Sequence, residues 1–328
     1  MPLFDGPPVL LTGNAHPALA QAISSSMEIG LSNIQVSRFP DGEIKVRIGE
    51  NIRGRDAFFI QPTYATTRSA ADNLMELLIM IDAARRASAD RITAVVPYFG
   101  YARQDRKDRS RVPISAKLVA DLMQIAGADR VLSLDLHSGQ IQGFFNIPFD
   151  HLNGAKVLLP KVRSLKLNPV SIASADIGGG KLVQAWTHNI PESESVLMEK
   201  KRTGDRTVEI IRVIGNVKGR HVVIVDDEFS TCVTILAAIQ AVLDRGALSV
   251  RVVGTHAKNV EGGLEKLACS EVAEVFVTDT LPLPELPGQK FKVCSVAPML
   301  GKAIMSIHNS ESLTRHFDLD VDNPRKVG

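Results

Sequence analysis

The stretch Val222-Val223-Ile224-Val225-Asp226-Asp227-Glu228-Phe229-Ser230-Thr231-Cys232-Val233-Thr234 decides the fold class. Four consecutive β-branched residues, with no alternation of polar and apolar positions, describe a strand buried on both faces, as in a parallel sheet. The run ends in Asp226 and Asp227, passes through a short polar turn, and enters a helical pattern at Ile235, Ile239 and Val242 that stops near Gly246. In open parallel sheets, ligands lie at the carboxyl ends of strands. The free N–H groups of a first helical turn suit a phosphate, and two adjacent carboxylates suit sugar hydroxyls or a hydrated Mg²⁺. The plainer alternative is a capped helix start beside two solvated acids.

The same alternation recurs on either side. Short Val/Ile-rich runs lie at Val9 to Thr12, Ala57 to Gln61, Ile92 to Pro97 and Val131 to Leu136, then at Val170 to Ala173, His221 to Val225, Ser249 to Gly254 and Val275 to Thr278. Helical spacing links Leu74, Leu77, Leu78 and Ile81, and again Leu118, Leu122 and Ile125 after a start at Ser115. The expected fold class is α/β, with mostly parallel sheets flanked by helices. Pro8 to Ser24 and Pro169 to Trp186 share a strand–turn–helix order, which suggests an internal duplication. A length of 328 residues accommodates two domains. The bridge is expected at Asn146 to Asn153, giving domains 1–149 and 150–299. A proline-containing loop, Leu281 to Gln289, leads to a terminal helix at Lys302 to His308, in a segment of about 300–318 that packs back on the first domain.

A net charge of +2 from 38 basic and 36 acidic residues gives no general nucleic-acid or membrane surface. No apolar run reaches the roughly 18 residues of a membrane span. Met1 to Thr12 lacks the pattern of a signal peptide. Cys232, Cys269 and Cys294 are odd in number and lack metal spacing, so a reduced, cytoplasmic setting is expected.

Other strand ends carry candidate chemistry. Asp135-Leu136-His137-Ser138-Gly139-Gln140 offers a histidine, and Ser174-Ala175-Asp176-Ile177-Gly178-Gly179 a carboxylate; His137 and Asp176 are candidate Mg²⁺ ligands, although Mg²⁺ prefers oxygen. Arg103 to Arg111 reads equally as a phosphate clamp or a solvated charged loop, and the same choice holds for Glu199-Lys200-Lys201-Arg202. Phe39-Pro40-Asp41-Gly42-Glu43 reads as a turn whose Phe can stack on a base. Gly178-Gly179-Gly180-Lys181 lacks the spacing of a nucleotide-binding phosphate loop, and no dinucleotide fingerprint follows a strand.

Together these segments resemble the ribose-phosphate diphosphokinases, or phosphoribosyl pyrophosphate synthetases. The likeness spans nearly the whole chain: FPDGE at Phe39, PYFGYARQDRK at Pro97, PISAKLVADL at Pro113, DLHSGQIQGFF at Asp135, SADIGG at Ser174, EKKR at Glu199, VDD at Val225 and the terminal GKAI…IHN. The resemblance implies two phosphoribosyltransferase-type domains related by a pseudo-twofold, with the active site between them and shared with a neighbouring subunit. It implies diphosphoryl transfer from Mg-ATP to ribose 5-phosphate, releasing AMP. Phe39, Asp41, Gly42 and Glu43 would meet ATP together with Arg103 and Gln104. His137 and Asp176 would serve Mg²⁺. Lys200 and Arg202 would be catalytic, on a flexible loop. Asp226 and Asp227 would hold the ribose, and Ser230, Thr231, Cys232, Val233 and Thr234 the 5-phosphate. A homo-oligomer, commonly a hexamer, activated by phosphate and inhibited by ADP, is also implied, with Asn51, Arg53, Ser312, Thr314 and Phe317 in segments like those of the regulatory site.

One segment departs from the family. Where the pattern is D-T-A-G-T, this chain has Ser230-Thr231-Cys232-Val233-Thr234, and Ala257 follows His256 where glycine is usual. Valine is poor at positive φ, so the loop tolerates Val233 only if its φ is negative. Three readings follow: an active synthetase with an altered loop, a regulatory paralogue that assembles with an active synthetase, or an enzyme for another phosphorylated pentose.

Overall fold

The computed structural model describes residues 4, 6–204 and 207–314, the side chains of 202–204 and 207 excepted. They fall into two units. The first runs to Asn153 and takes back Thr280–Pro282 and the segment from Val296; the second runs from Gly154 to Asp279 and includes Leu283–Ser295.

The first unit contains β1 (Val9–Thr12), α1 (Pro17–Met27), β2 (Ile34–Arg38), β3 (Ile44–Ile48), β4 (Asp56–Ile60), α2 (Ala70–Arg86), β5 (Arg91–Val96), α3 (Ser115–Ala126), β6 (Arg130–Leu134) and β7 (Phe149–Leu152). Its main sheet has the order β1-β4-β5-β6-β7, parallel throughout. Val9, Leu11, Ala57, Phe59, Ile92, Ala94 and Val131 form one apolar cluster with α2 and α3. β2 and β3 make a separate antiparallel hairpin.

The second unit continues with α4 (Ala155–Ser164), β8 (Val170–Ser174), α5 (Gly180–Asn189), β9 (Glu194–Gly204), β10 (Thr207–Ile214), β11 (His221–Phe229), α6 (Val233–Leu243), β12 (Ser249–Ala257), α7 (Gly263–Cys269), β13 (Glu274–Thr278) and β14 (Phe291–Cys294). The sheet order is β10-β9-β8-β11-β12-β13-β14, with only the β9–β10 pair antiparallel. Alternate residues of β11 serve opposite cores. Val222 and Ile224 pack with Ile235, Ala238 and Ile239 of α6, whereas Val223 and Val225 pack with Leu158 of α4 and Trp186 of α5. That two-sided burial is why the run is apolar at every position, each such side chain contributing about 1.5–3 kcal/mol.

The last helix, α8 (Ala297–His308), belongs to the first unit and packs on α1. The approach is close: a Cβ at Gly301 would lie 2.8 Å from Met27 Cγ and Ser26 Oγ. At its far end, Asp56 is fully buried on β4, pairing with Arg91 (Nε to Oδ1, 2.8 Å) and with His308 Nδ1 (2.9 Å).

Several expectations need correction. Asn146 to Asn153 is no unstructured bridge: it contains β7, a short parallel edge strand whose polar Asp150 and His151 hide it from an apolar scan. The units divide at Asn153/Gly154 rather than 149/150, and the chain returns to the first unit at Thr280–Pro282 and again from Val296 rather than only after 299. The terminal helix starts at Ala297, because Pro298 suits a first turn, and ends at His308. The start expected at Ser115 stands: it is the first helical residue of α3. Lys200 lies in an antiparallel ladder opposite Ile210, and the Arg202 backbone opposite Val208, with register shifts on either side, so this segment is a strand rather than a loop.

Candidate active site

The second unit supplies a topological switch point. β8 leads through α5 to β9 on one side, and β11 leads through α6 to β12 on the other, while α5 and α6 cover opposite faces. The carboxyl ends of β8 and β11 therefore open a crevice of the kind that binds ligands in α/β sheets. Asp176 stands just beyond β8, and Asp226 and Asp227 lie near the end of β11.

Asp176 is held by its own turn: Oδ1 accepts from Gly179 N at 3.2 Å, and Oδ2 pairs with Lys200 Nζ at 2.6 Å. Glycine is required at 179, since a Cβ there would fall 2.0 Å from Ser174 Oγ. Lys200 reaches Asp176 from the neighbouring strand β9. Burial, followed by the hydrogen bond and charge of Asp227 and the charge of Asp176, pushes the Asp226 carboxyl well above the usual carboxylate range. A cation or hydrogen-bond donor beside such a group offsets the crowding and favours its charged form.

The loop after β11 answers the question posed by Val233. Val233 is the first residue of α6 and is absent from the left-handed region, so its branched Cβ fits. The left-handed residue is Cys232, with φ +58°, at the cap position. Its side chain is buried in the core with Phe229 and Ile235, and its thiol donates weakly to Ser230 O. The thiol is thus taken up by the core and the Ser230 carbonyl. α6 has no side-chain cap, which leaves first-turn N–H groups available to an anion. Burial first, then the Asp226 charge, pushes the Cys232 thiol up to about 12, so it is no ready nucleophile.

The first unit presents its candidates at neighbouring strand ends. Arg103 and Gln104 follow β5, and His137 follows β6; Arg103 and His137 are exposed. The Gln104 side chain accepts from Ser115 Oγ at the start of α3. The β5 turn packs tightly: Gly100 N donates to Thr63 Oγ1 at 2.7 Å, and a Cβ on Gly100 would fall 2.1 Å from Thr63 O. Beyond β6, Leu136 N donates to His151 Nε2 at 2.9 Å, so His151 is a neutral imidazole there; burial pushes its pKa down. FPDGE forms the β2–β3 turn, with Gly42 at φ +96° and Asp41 Oδ1 accepting from Glu43 N. Phe39 is 45 % exposed, with Lys45 Nζ 5.3 Å from its ring centre. Asn51 accepts from Arg53 N, Ser312 and Thr314 follow α8, and Phe317 and the Arg202 side chain lie outside the described residues.

Residues 8–127 match the model described as the N-terminal domain of ribose phosphate pyrophosphokinase, and residues 187–318 match the phosphoribosyl synthetase-associated domain. The ribose-phosphate pyrophosphokinase of Wolinella succinogenes is 46 % identical over 94 % of this chain and 98 % of its own length. The chain belongs to the ribose-phosphate pyrophosphokinase family. The Haemophilus influenzae member is likewise 46 % identical, over 94 % of this chain and 98 % of its own. The crystal structure of phosphoribosylpyrophosphate synthetase from Mycobacterium smegmatis superposes with a TM-score of 0.85 at 36 % identity, covering 93 % of this chain and all of that one. The protein is thus an enzyme, a ribose-phosphate pyrophosphokinase with small-molecule substrates, on the α/β fold expected of this family. Among the described residues, no helix is long and apolar enough to cross a membrane.

Two residues escaped the sequence reading. His151 sits in the unrecognised β7, and Lys258 follows β12 and forms a buried ion pair with Glu228 at 2.8 Å. The available signal was opposite charges at the ends of two neighbouring apolar runs, where a lone charge would be costly.

Proposed function

We propose that this chain transfers the β,γ-diphosphate of Mg-ATP to the 1-hydroxyl of ribose 5-phosphate, forming 5-phosphoribosyl 1-diphosphate and AMP. The observation that carries the reading is the pair Asp226 and Asp227 on β11, leading directly into the uncapped first turn of α6. Carboxylates accept hydrogen bonds from the ribose hydroxyls, and the N–H groups from 231 to 234 receive the 5-phosphate. The buried Cys232 side chain and the helical backbone of Val233 keep that cradle clear, which favours an active synthetase over a regulatory paralogue.

The sugar 1-oxygen attacks the β-phosphorus, and the α–β bridging oxygen leaves with AMP. Lys200 and Arg202 steady the charge that accumulates on the transferring group, so catalysis is positioning and electrostatic stabilisation with no covalent enzyme intermediate. The crowded carboxylates near Asp226 are hard oxygen donors of the type Mg²⁺ takes. His137 in the first unit and Asp176 in the second would serve Mg²⁺, which neutralises diphosphate charge when bound. Arg103 and Gln104 serve the nucleotide. The exposed Phe39, with Asp41, Gly42 and Glu43 at the hairpin tip, serves adenine in a neighbouring copy of a cytoplasmic homo-oligomer, a hexamer by resemblance. Phosphate activation and ADP inhibition through Asn51, Arg53, Ser312, Thr314 and Phe317 belong to the same reading.

Phosphorus NMR of the purified protein with Mg-ATP, ribose 5-phosphate and inorganic phosphate tests it. AMP appearing together with a sugar 1-diphosphate supports the proposal. Intact ATP would turn the reading to the regulatory paralogue, and turnover only with another pentose phosphate would turn it to a changed acceptor.

A further inference from the structure

Glu228 adds a third consecutive acid to Asp226 and Asp227, directly before the loop assigned to the sugar phosphate. Isolated, a buried carboxylate there would be costly and would repel the incoming phosphate. Lys258 Nζ instead meets Glu228 Oε2 at 2.8 Å, with both side chains buried. The contact spans two parallel strands. Glu228 is in register with His256, Phe229 with Ala257, and Lys258 N donates to Phe229 O at 2.9 Å. Side chain and backbone of Lys258 therefore both grip the last two residues of β11.

The chain beyond Lys258 then presses on the loop itself. Asn259 Oδ1 accepts from Leu264 N, closing the turn into α7. At that turn, a Cβ on Gly263 would lie 2.4 Å from Ser230 O and 2.7 Å from Thr231 C. Backbone meets backbone there with no side chain between. The Ser230–Thr231 segment is held on one side by β11 and on the other by the 258–263 turn, and Lys258 anchors the two to each other.

We infer that Lys258, through its ion pair with Glu228, is a positioning residue that sets the sugar-phosphate loop for ribose 5-phosphate binding. It touches no substrate; it fixes where the N–H groups of residues 231 to 234 stand. The inference rests on the assignment of that loop to the 5-phosphate. Breaking a buried pair leaves an uncompensated charge, whereas an apolar pair of similar volume is often tolerated, and this separates a brace from a charge effect.

The test compares Lys258→Met, the double variant Glu228→Met/Lys258→Met, and the cradle variant Thr231→Asp, whose added carboxylate repels a phosphate held by the loop N–H groups, in steady-state synthesis, with melting temperature followed in parallel. Lys258→Met is expected to raise the KM for ribose 5-phosphate about tenfold with little change in kcat or in the KM for ATP, and the double variant to recover most of it. An unchanged KM with a lowered melting temperature would reduce the pair to a fold contact and overturn the inference. A double variant as impaired as the single one would also overturn it, since the loss would follow the charge. If Thr231→Asp leaves that KM unchanged, the loop assignment itself is wrong and the inference goes with it. If Thr231→Asp raises it and Lys258→Met does not, only the brace is wrong.

Discussion

Lys200 Nζ lies 2.6 Å from Asp176 Oδ2, an ion pair between a candidate diphosphoryl-stabilising cation on β9 and a candidate metal ligand just beyond the neighbouring β8. The contact is partly exposed, so its contribution to stability is small. Its interest is competition: an ammonium and a divalent cation cannot both hold that oxygen.

Lys200→Ala should therefore bind metal more tightly and turn over more slowly. Mn²⁺ affinity, followed by electron paramagnetic resonance, is expected to rise a few-fold, and kcat to fall about 100-fold or more with the KM for ATP nearly unchanged. Equal loss in kcat and ATP affinity, or weaker Mn²⁺ binding, would contradict the roles given to the pair.

Asp226 gives a pH prediction. Its folded pKa stands above its unfolded value, so the native state holds the extra proton between the two. Stability is greatest below the unfolded pKa and is lost as pH rises through the folded one. Asp226→Asn removes that loss. Its melting temperature at neutral pH should exceed that of the parent by about 2–4 °C, the advantage shrinking toward pH 4, while ribose 5-phosphate binding fails. A lower melting temperature at neutral pH would refute the crowding.

The cysteines should separate by reactivity. Cys232 and Cys294 are buried and their thiols pushed up, whereas Cys269 is exposed. Brief alkylation at pH 8 of the native protein, read by mass spectrometry, is expected to mark Cys269 alone, with the other two following in denaturant.

Val233→Gly, which would restore the family's glycine, should not help. Val233 already sits at a helical first position, and glycine there costs up to about 1 kcal/mol relative to alanine. The KM for ribose 5-phosphate should stay level or rise; a marked fall would mean that the valine hinders the phosphate.

What could be read from the sequence follows burial. β4, β5, β6, β8, β11 and β13 are largely apolar because both faces are covered, so each announces itself as a short apolar run. β2 and β3 alternate half-buried with exposed residues, Ile34, Val36, Ile44 and Val46 against Gln35, Ser37, Lys45 and Arg47; that period of two was present but falls outside a scan for continuous runs. β9 hid because Glu199-Lys200-Lys201-Arg202 is charged, which a hairpin at the sheet edge permits. Within the site, Asp226 and Asp227 were legible as acids ending a buried strand. The left-handed residue was not: the family pattern pointed to 233, but the backbone turns at Cys232, and only the helix start decides which residue bears the positive φ.

The return of α8 to the first unit has a consequence for synthesis. The strands of that unit leave the ribosome well before the helix that covers α1 and ties its last turn to Asp56 and Arg91. At ~5–20 residues per second, translation from β7 to the end of α8 takes roughly 10–30 s. For that interval the nascent first unit carries an open apolar face and a buried-site acid awaiting His308. Premature termination inside the second unit would therefore damage both halves of the enzyme.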